Sequence, residues 1–286
     1  MAGGIDLDLP GVGVRLRATR WAGAGTPVLL LHGLASTRRF WDLVVPELAG
    51  LPVLALDQRG HGDSERPDGP YDGPTVVRDA LTALDALGLS RVVVVGHSWG
   101  GWTALRFAAE APERVLAVVA VDSGVGSPRR PDEPRATTRE RLRPPGTAVP
   151  PDELPGLVRR GPLAPWWSDA VEASVLAIFG VGDDGLARAR LPMDAHMSIV
   201  DDLLDADAEG LLPSIACPAW LVACSPTPER DAALARAAAL LARPRVQRWD
   251  GALHDVPLQW PALVAGLVRA AAAEAATATV REGDRA

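Results

Sequence analysis

The stretch Val92-Val93-Val94-Val95-Gly96-His97-Ser98-Trp99-Gly100-Gly101-Trp102 says more about the fold of this chain than any other segment. Four consecutive β-branched residues are typical of a parallel strand that is buried on both faces. A Gly-x-Ser-x-Gly turn follows, and the pattern after it predicts a helix over about 99–111. Such a tight turn strains the backbone of Ser98 and holds its hydroxyl above the end of the sheet. Ser98 is therefore a candidate nucleophile, and the alternative is that it only caps the helix.

A serine nucleophile needs a general base, and the chain has five histidines that could supply it. His254 lies in a loop between the last predicted strand, 246–249, and the last helical pattern. A side chain on such a loop can reach the end of the sheet at which Ser98 lies. His97 belongs to the turn itself and is expected to point away, and His61 is expected to brace its own glycine-rich loop. His254 is therefore predicted to be the base.

These features, in this order, resemble the α/β-hydrolase family over about residues 10–124 and 211–275. The stretch Leu29-Leu30-Leu31-His32-Gly33-Leu34 is similar to the family's oxyanion loop, and Asp57-Gln58-Arg59-Gly60-His61-Gly62-Asp63-Ser64 is similar to its loop after the fourth strand. The resemblance implies the family's fold and a Ser-His-acid triad. It also implies an oxyanion hole formed by the backbone N–H groups of Leu34 and Trp99.

The acidic member of the triad does not lie where the commonest family pattern has it. The commonest family pattern has an Asp after the seventh strand, and this chain has Thr227 there. Glu229 and Asp231 follow closely, but Thr-Pro-Glu is also the usual start of a helix. Asp122 ends the predicted sixth strand, 115–121, and some members of the family carry their acid at that position. We therefore expect Asp122 to be the acid, with Glu229 or Asp231 as alternatives and the absence of an acid as the third.

Strand-like runs alternate with helical patterns along most of the chain. This alternation predicts an α/β protein with a mainly parallel sheet and helices on both faces. An antiparallel pair is predicted first, over 12–21, and hydrophobic periodicity fades over 271–286, which predicts a frayed tail. Between these limits, further strands are expected at 28–31, 53–56, 92–95, 115–121, 218–223 and 246–249, and helices at 74–87 and 229–241.

The alternation stops after Asp122. Residues 124–151 are rich in Pro, Arg and Gly and show no apolar period, so we expect a mobile flap rather than an ordinary connection. Helical patterns then resume. These observations predict a helical lid inserted after the sixth strand, and the predicted units are a first core part (1–124), the lid (125–210, called the insertion below) and a second core part (211–286).

Apolar residues of the insertion are candidates for the wall of a substrate pocket. Trp166, Trp167 and Met197 are the ones we expect to bind substrate. Large apolar residues more often simply bury a helix against its neighbours, and adjacent tryptophans cannot share one helix face. At most one of Trp166 and Trp167 is therefore expected to face the pocket.

The bulk composition excludes several classes of function. The 286 residues carry a formal net charge of −7, which argues against a nucleic-acid surface. All 29 basic residues are Arg, and the absence of Lys excludes Schiff-base chemistry and a phosphate-binding loop lysine. The sequence contains no run of eighteen apolar residues, so it predicts no membrane span. The N-terminus does not resemble a signal peptide. We therefore expect a cytoplasmic location.

The two cysteines, Cys217 and Cys224, flank one predicted strand. Seven residues of strand span about 23 Å, which is too far for a disulfide between them. No Cys/His spacing predicts a metal site, and no cofactor is implied. The sequence therefore predicts a serine hydrolase that cleaves a carboxylic ester or lactone of a small apolar molecule through an acyl-enzyme. The alternative is a non-hydrolytic protein of the same fold, such as an isomerase, a cyclase or a ligand-binding protein.

Overall fold

One mixed sheet runs through the molecule, and eight strands within the described residues belong to it. The computed structural model of the chain describes residues 3–123, 125, 128–130, 132–146 and 148–283, with side chains up to residue 277. In chain order the strands are β1 (Ile5–Pro10), β2 (Arg15–Trp21), β3 (Val28–Leu31), β4 (Val53–Leu56), β5 (Val92–His97), β6 (Val115–Val121), β7 (Phe179–Val181), β8 (Ala187–Ala189), β9 (Ala219–Cys224) and β10 (Pro244–Trp249).

The sheet has the order β1-β2-β4-β3-β5-β6-β9-β10. Strand β2 is antiparallel to both of its neighbours, and every pairing from β4 to β10 is parallel. All six residues of β5 are buried, because helices cover both faces of the sheet around it. The predicted mainly parallel sheet is confirmed, and its central strand carries the Ser98 turn.

Helices cover the two faces of the sheet. Leu84 of α1 (Gly73–Ala86), Leu105 of α2 (Trp99–Glu110) and Leu234 of α8 (Pro228–Leu240) pack on one face, together with Val92 and Val94 of the central strand. Helix α10 (Pro261–Gly283) packs on the other face, against Val93 and Val95. The helices are α1 (Gly73–Ala86), α2 (Trp99–Glu110), α3 (Arg135–Arg141), α4 (Leu154–Val158), α5 (Asp169–Leu176), α6 (Met193–Leu204), α7 (Ala208–Leu211), α8 (Pro228–Leu240), α9 (Val256–Gln259) and α10 (Pro261–Gly283).

Both ends of the chain depart from the sequence prediction. The antiparallel pair begins at Ile5 rather than at residue 12, and its turn lies between Pro10 and Arg15. The expectation of a frayed tail is wrong as far as Gly283, because α10 continues to that residue. Its alanines at 271, 272 and 275 are buried against the sheet. A face of alanines is small, so it gives little hydrophobic periodicity although it packs closely. Residues 284–286 lie outside the described part of the chain.

The insertion is less purely helical than predicted. It contains a short antiparallel hairpin, β7–β8, whose turn includes Gly185 at φ 75°. It also contains α3, inside the stretch 124–151 for which no helix was expected. Ion pairs connect Arg135 and Arg139 of this helix to Asp201 on α6, and such contacts leave no apolar period in the sequence. The expectation of a flap cannot be followed at residues 124, 126, 127, 131 and 147, which lie outside the described residues.

Neither cysteine is bonded to the other, as the strand spacing predicted. Cys217 and Cys224 are free thiols before and at the end of β9. Burial raises the pKa of the Cys217 thiol to about 11 and that of the Cys224 thiol to about 12, so both stay protonated at neutral pH. Among the described residues no helix combines the length and the apolar character that crossing a membrane requires.

Candidate active site

Ser98 occupies a strained turn between β5 and α2. Its backbone has φ 54° and ψ −122°, a conformation that residues other than glycine rarely adopt. A Cβ on Gly96 would lie 1.9 Å from the carbonyl oxygen of Gly100, and a Cβ on Gly100 would lie 2.4 Å from that of Leu31. Both positions therefore require glycine, because backbone occupies the space a side chain would need. The turn holds the Ser98 side chain at the carboxyl edge of the sheet.

His254 lies beside Ser98, in the loop between β10 and α9. Its Nε2 is 3.0 Å from the Ser98 Oγ. The buried ring of His97 donates from Nε2 to the His254 carbonyl at 2.8 Å, and Gln259 accepts a 2.6 Å hydrogen bond from the Leu253 N–H. His97 thus points away from the Ser98 hydroxyl, as expected, and supports the loop that carries His254.

Asp122 is the carboxylate that contacts His254. Its Oδ2 is 2.6 Å from His254 Nδ1, and its Oδ1 accepts a 2.9 Å hydrogen bond from the Cys224 N–H. The residue follows β6 with φ 45°, which turns the buried side chain toward the neighbouring loop. A carboxylate only accepts hydrogen bonds, so His254 Nδ1 carries the proton and Nε2 is left as the acceptor that faces the Ser98 hydroxyl.

The alternative acids are engaged elsewhere. Thr227 caps α8, and its hydroxyl accepts from the backbone N–H of Arg230. Glu229 lies in the first turn of that helix, and Asp231 accepts a 2.5 Å hydrogen bond from Arg248. The structure therefore brings Asp122 to His254 and leaves Glu229 and Asp231 in helix-terminal and surface roles.

Arg230 is a part of the site that the sequence reasoning missed. Its guanidinium donates to Oδ1 of Asp122 and, over 3.1 Å, to the Cys224 carbonyl. Nothing in the sequence distinguishes Arg230 from the other surface arginines of the chain. Only the packing of α8 beside the end of β9 brings its side chain to Asp122.

The Asp122–His254 contact lowers the pKa of Asp122 and raises the pKa of His254, and both shifts favour the charged forms. Burial acts to raise the pKa of Asp122, but hydrogen bonds from His254 and the Cys224 N–H, with the nearby charges, hold it below its usual value. Partial burial acts to lower the pKa of His254, but the hydrogen bond and the charge of Asp122 raise it above its usual value. Asp122 is therefore ionised wherever His254 titrates.

Two backbone N–H groups lie where an oxyanion hole is expected. Trp99 is the first residue of α2, where an N–H has no carbonyl one turn back to bond with. The N–H of Leu34 donates to no protein acceptor in the described part of the chain. A Cβ on Gly33 would lie 3.2 Å from the Ser98 Cβ, which shows how closely the loop after β3 approaches Ser98.

His61 connects the two halves of this candidate oxyanion hole. Its Nε2 accepts a 3.2 Å hydrogen bond from the N–H of Ala35, which adopts φ 58° next to Leu34. Its ring stacks on Trp99, with centroids 5.2 Å apart and planes at 23°. His61 braces its surroundings, as expected, and specifically braces the loop that carries Leu34.

A cavity of about 210 Å³ opens beside Ser98. Among the described residues none that lines it has a charged side chain, and parts of its wall come from the loop after β3, from α2 and from the insertion. An apolar cavity of about 150 Å³ is large enough to hold benzene. The lining residues are Leu34, Ser98, Trp99, Trp102, Pro128, Leu142, Val200 and Leu203.

Trp166, Trp167 and Met197 do not line this cavity, contrary to the expectation. Trp166 is 37% exposed, and the Trp167 indole donates to Glu172. Met197 is buried in a cluster with Val200, which places it behind the cavity wall. The tryptophan pair belongs to the short 3-10 turn and loop before α5, where Trp166 is exposed and Trp167 packs against the apolar core on the α10 side of the sheet.

Three neutral histidines are buried around the site. Burial lowers the pKa of His32 to about 4 and those of His61 and His97 to about 3. In the first two, one ring nitrogen accepts a backbone N–H, from Gln58 and Ala35 respectively, and protonation would break that bond. Each ring is therefore neutral in the folded protein at a pH where the unfolded chain already binds a proton.

We expect the protein to lose stability steeply as the pH falls below about 6.5. The unfolded state then binds up to three more protons than the folded state, so the free energy of unfolding falls by up to about 4 kcal/mol per pH unit until the folded values of about 4 and 3 are reached. Urea unfolding between pH 7.5 and about pH 5 measures this slope. His61→Gln should reduce it by about a third, and a flat profile in that range contradicts the prediction.

No cluster of three or more His, Cys, Asp or Glu side chains in the described ranges could hold a metal ion. The described polar groups at the edge of the sheet are thus a hydroxyl, an imidazole, a carboxylate, a guanidinium and two backbone N–H groups. Together these groups can activate a hydroxyl oxygen and stabilise negative charge on a nearby carbonyl oxygen.

Comparison with known proteins agrees with this picture. A family model described as the alpha/beta hydrolase fold matches residues 26–159. The chain is 36% identical over 132 residues to bifunctional epoxide hydrolase 2 of Sus scrofa, which covers 45% of this chain and 23% of that protein. It is 42% identical over 113 residues to 2-hydroxymuconate semialdehyde hydrolase of Pseudomonas sp. strain CF600, which covers 37% of this chain and 40% of that protein. The chain thus spans no more than about two fifths of either relative.

The likeness in structure extends over nearly the whole chain. The crystal structure of E-2-(acetamidomethylene)succinate hydrolase superimposes with a TM-score of 0.78, at 23% identity, over 93% of this chain and 97% of that one. The family model covers the part that carries the Ser98 turn and Asp122, and the superposition extends to β9, β10 and the loop that carries His254. The chain therefore has the α/β-hydrolase fold, and the model of that fold matches residues 26–159 of it.

Proposed function

We propose that this protein is a serine hydrolase that cleaves a carboxylic ester or lactone through an acyl-enzyme. The observation that carries the proposal is the continuous line of hydrogen-bond contacts from Asp122 to His254 to the Ser98 hydroxyl. A serine is a weak nucleophile unless a base accepts its proton, and a base is held in one orientation by a third group. Both conditions are met at one edge of the sheet.

The reaction begins with proton transfer from Ser98 Oγ to His254 Nε2 while Oγ attacks the substrate carbonyl carbon. The resulting oxyanion accepts hydrogen bonds from the N–H groups of Leu34 and Trp99, and each donor stabilises the transition state by about 3 kcal/mol. The intermediate collapses, and the alcohol leaves with the proton from His254. Water then loses a proton to His254 and attacks the acyl-enzyme, which releases the acid and restores Ser98.

The cavity supports a small, uncharged and largely apolar acyl group. The cavity has a volume of about 210 Å³, and none of its described lining residues has a charged side chain that could pair with a charged substrate. Apolar area removed from water contributes about 25 cal/mol per Å², which is enough for a small hydrocarbon group to be held without hydrogen bonds. The Ser98 hydroxyl at the edge of the cavity then meets the carbonyl carbon.

The insertion is proposed to act as a lid over this cavity. Pro128 and Leu142 flank α3 and line the cavity, and Val200 and Leu203 come from α6. A cover of this kind excludes water from the oxyanion and strengthens the hydrogen bonds to it. Ligand binding should therefore protect α3 from proteolysis.

Ser98 separates this chain from the epoxide hydrolases to which part of it is similar. The epoxide hydrolases of this fold use an Asp nucleophile, and the turn after β5 offers a hydroxyl in this chain. A hydroxyl paired with an imidazole is suited to acyl transfer. The alternative of a non-hydrolytic protein rested on the missing acid after the seventh strand, and it loses that argument because a carboxylate contacts His254.

A fluorophosphonate probe tests the proposal directly. It should label the protein at one serine, and trypsin should then release the segment 92–106, which lies between Arg91 and Phe107 and contains Ser98 as its only serine. Esters of p-nitrophenol with acyl chains of increasing length should be hydrolysed, with an initial burst if deacylation is slow. An unlabelled protein that turns over no ester or lactone would contradict the proposal.

The pH dependence of turnover gives a second test. Only neutral His254 can accept the Ser98 proton, and Asp122 raises its pKa above the ordinary value of 6.5. We therefore expect kcat/KM to rise with pH through a midpoint above 6.5 and then to level off. Circular dichroism at each pH separates this limb from acid unfolding. A midpoint clearly below 6.5 would show that Asp122 does not support the imidazolium.

A further inference from the structure

The outer oxygen of the Asp122 carboxylate is bound by Arg230, a contact that the proposed hydrolytic chemistry does not require. Oδ2 faces His254, and Oδ1 accepts from both the Cys224 N–H and the Arg230 guanidinium. We propose that Arg230 is a positioning residue that fixes the orientation of Asp122 and sets the acidic limit of turnover through its charge. The inference rests on the proposed function, because it assigns a role within that site.

The geometry supports a fixed carboxylate. The Asp122 side chain is 2% exposed and the Arg230 side chain is 44% exposed, so a buried anion is held by a cation that reaches it from the surface. The guanidinium also donates over 3.1 Å to the Cys224 carbonyl, while the Cys224 N–H donates to Oδ1. The carboxylate cannot rotate about its bond to Cβ without losing contacts on both oxygens.

The start of α8 explains why Arg230 can reach this point. Thr227 caps the helix and Pro228 is its first residue, so the helix begins close to the end of β9. The backbone N–H of Arg230 is bound by the cap, which fixes its Cα. Its long side chain then extends back to Cys224 and Asp122. Thr227 and Pro228, which occupy the place where the commonest family pattern has an acid, thus start a helix that brings a cation to Asp122.

The charges around His254 come from four elements. Asp122 follows β6 and Asp255 follows His254 in its own loop, and both favour the imidazolium. Arg230 on α8 disfavours it, and His97 on β5 stays neutral at any pH at which the protein turns over, because its pKa is about 3. Arg230 is therefore the one cation among the described groups that opposes the two carboxylates at this ring.

Removing the positive charge should move the acid limb to higher pH. In Arg230→Gln the midpoint of kcat/KM against pH should rise by on the order of 0.5–1 unit, because a charge several ångströms away at a partly solvated site changes a pKa by about that amount. The difference from wild type should shrink in high salt, since the guanidinium is partly exposed. KM should change little, because Arg230 does not line the cavity.

Two matched variants separate charge from structure. Arg236→Gln removes the same charge from an exposed position of the same helix and should leave the midpoint unchanged. Arg230→Lys keeps the charge and should shift the midpoint by less than half as much as Arg230→Gln. An equal shift in Arg230→Lys and Arg230→Gln, or in Arg236→Gln, would overturn the role of the Arg230 charge.

A titration without turnover distinguishes failure of this inference from failure of the proposed function. The imidazole resonance of His254, assigned from its loss in His254→Gln, can be followed against pH by NMR in a Ser98→Ala background. Arg230→Gln should raise this titration midpoint by the same amount as the kinetic one. If wild type hydrolyses esters but neither midpoint moves, the inference fails alone. If no variant hydrolyses any ester while the NMR midpoint moves, the proposed function fails and the charge of Arg230 still acts on His254.

Discussion

Replacement of Ser98 by alanine is expected to lower kcat for ester hydrolysis by a factor on the order of 10⁴–10⁶. The variant removes the hydroxyl that His254 Nε2 contacts and leaves the imidazole, Asp122 and the proposed oxyanion donors in place. The small residual rate should come from those remaining groups. The fold should not change, because alanine has the same Cβ in the same strained turn and Oγ makes no other hydrogen bond within the described residues.

Single-turnover kinetics and fluorophosphonate labelling measure this effect. Ser98→Ala should fail to react with the probe, while a non-hydrolysable apolar ligand of the cavity should bind with an unchanged dissociation constant. Ser174→Ala is a suitable control, because Ser174 is a buried serine that donates to the Arg39 carbonyl away from the cavity. It should retain wild-type turnover. If Ser98→Ala keeps more than a few per cent of wild-type kcat, the acyl-enzyme route is excluded.

Asp122→Asn is expected to lower kcat by a factor on the order of 10⁴ while the protein stays folded. An amide can donate to His254 Nδ1, which favours the tautomer whose proton lies on Nε2. That tautomer cannot accept the Ser98 proton, and the neutral amide does not stabilise the imidazolium. The side chain is nearly isosteric, so the Cys224 N–H keeps an acceptor.

The two alternative acids are matched controls for this variant. Glu229→Gln and Asp231→Asn each remove one negative charge from the first turn of α8. Both side chains lie at the surface, so the two variants should lower stability only slightly through the helix terminus and leave turnover near wild type. Circular dichroism and urea unfolding should be run on all three. Loss of turnover in Glu229→Gln or Asp231→Asn, with turnover preserved in Asp122→Asn, would assign the acid to α8 instead.

Local sequence patterns could not decide the identity of the acid by themselves. Asp122, Glu229 and Asp231 are all carboxylates near the carboxyl ends of strands, and the Thr-Pro-Glu pattern favoured a helix start for the last two without excluding them as the acid. Asp122 and His254 are 132 positions apart in the chain. Their contact depends on the register of β6 and β9 and on the positive φ at Asp122, which are tertiary properties.

The residues that line the cavity could be predicted even less well from local sequence patterns. Trp166 and Trp167 were expected there because large apolar residues in an insertion must pack on something, but apolar character does not say on what. The residues that line the cavity include Leu142 and Leu203, which no pattern distinguishes from other leucines. Arg230 is a similar case, since its role comes from one contact with Asp122 rather than from its neighbours in the chain.

The sequence by itself determined the parallel sheet, the strained turn at Ser98 and the candidate base, His254. These follow from local rules: β-branched runs form buried strands, only glycine fits beside the backbone at residues 96 and 100, and few histidines are available. Tertiary structure decided among the three candidate carboxylates, and it alone decided which residues line the cavity and which arginine contacts Asp122. The contacts of Asp122 with His254 and Arg230 join residues 132 and 108 positions apart, and their free energy depends on distances that exist only after the sheet and its helices have packed.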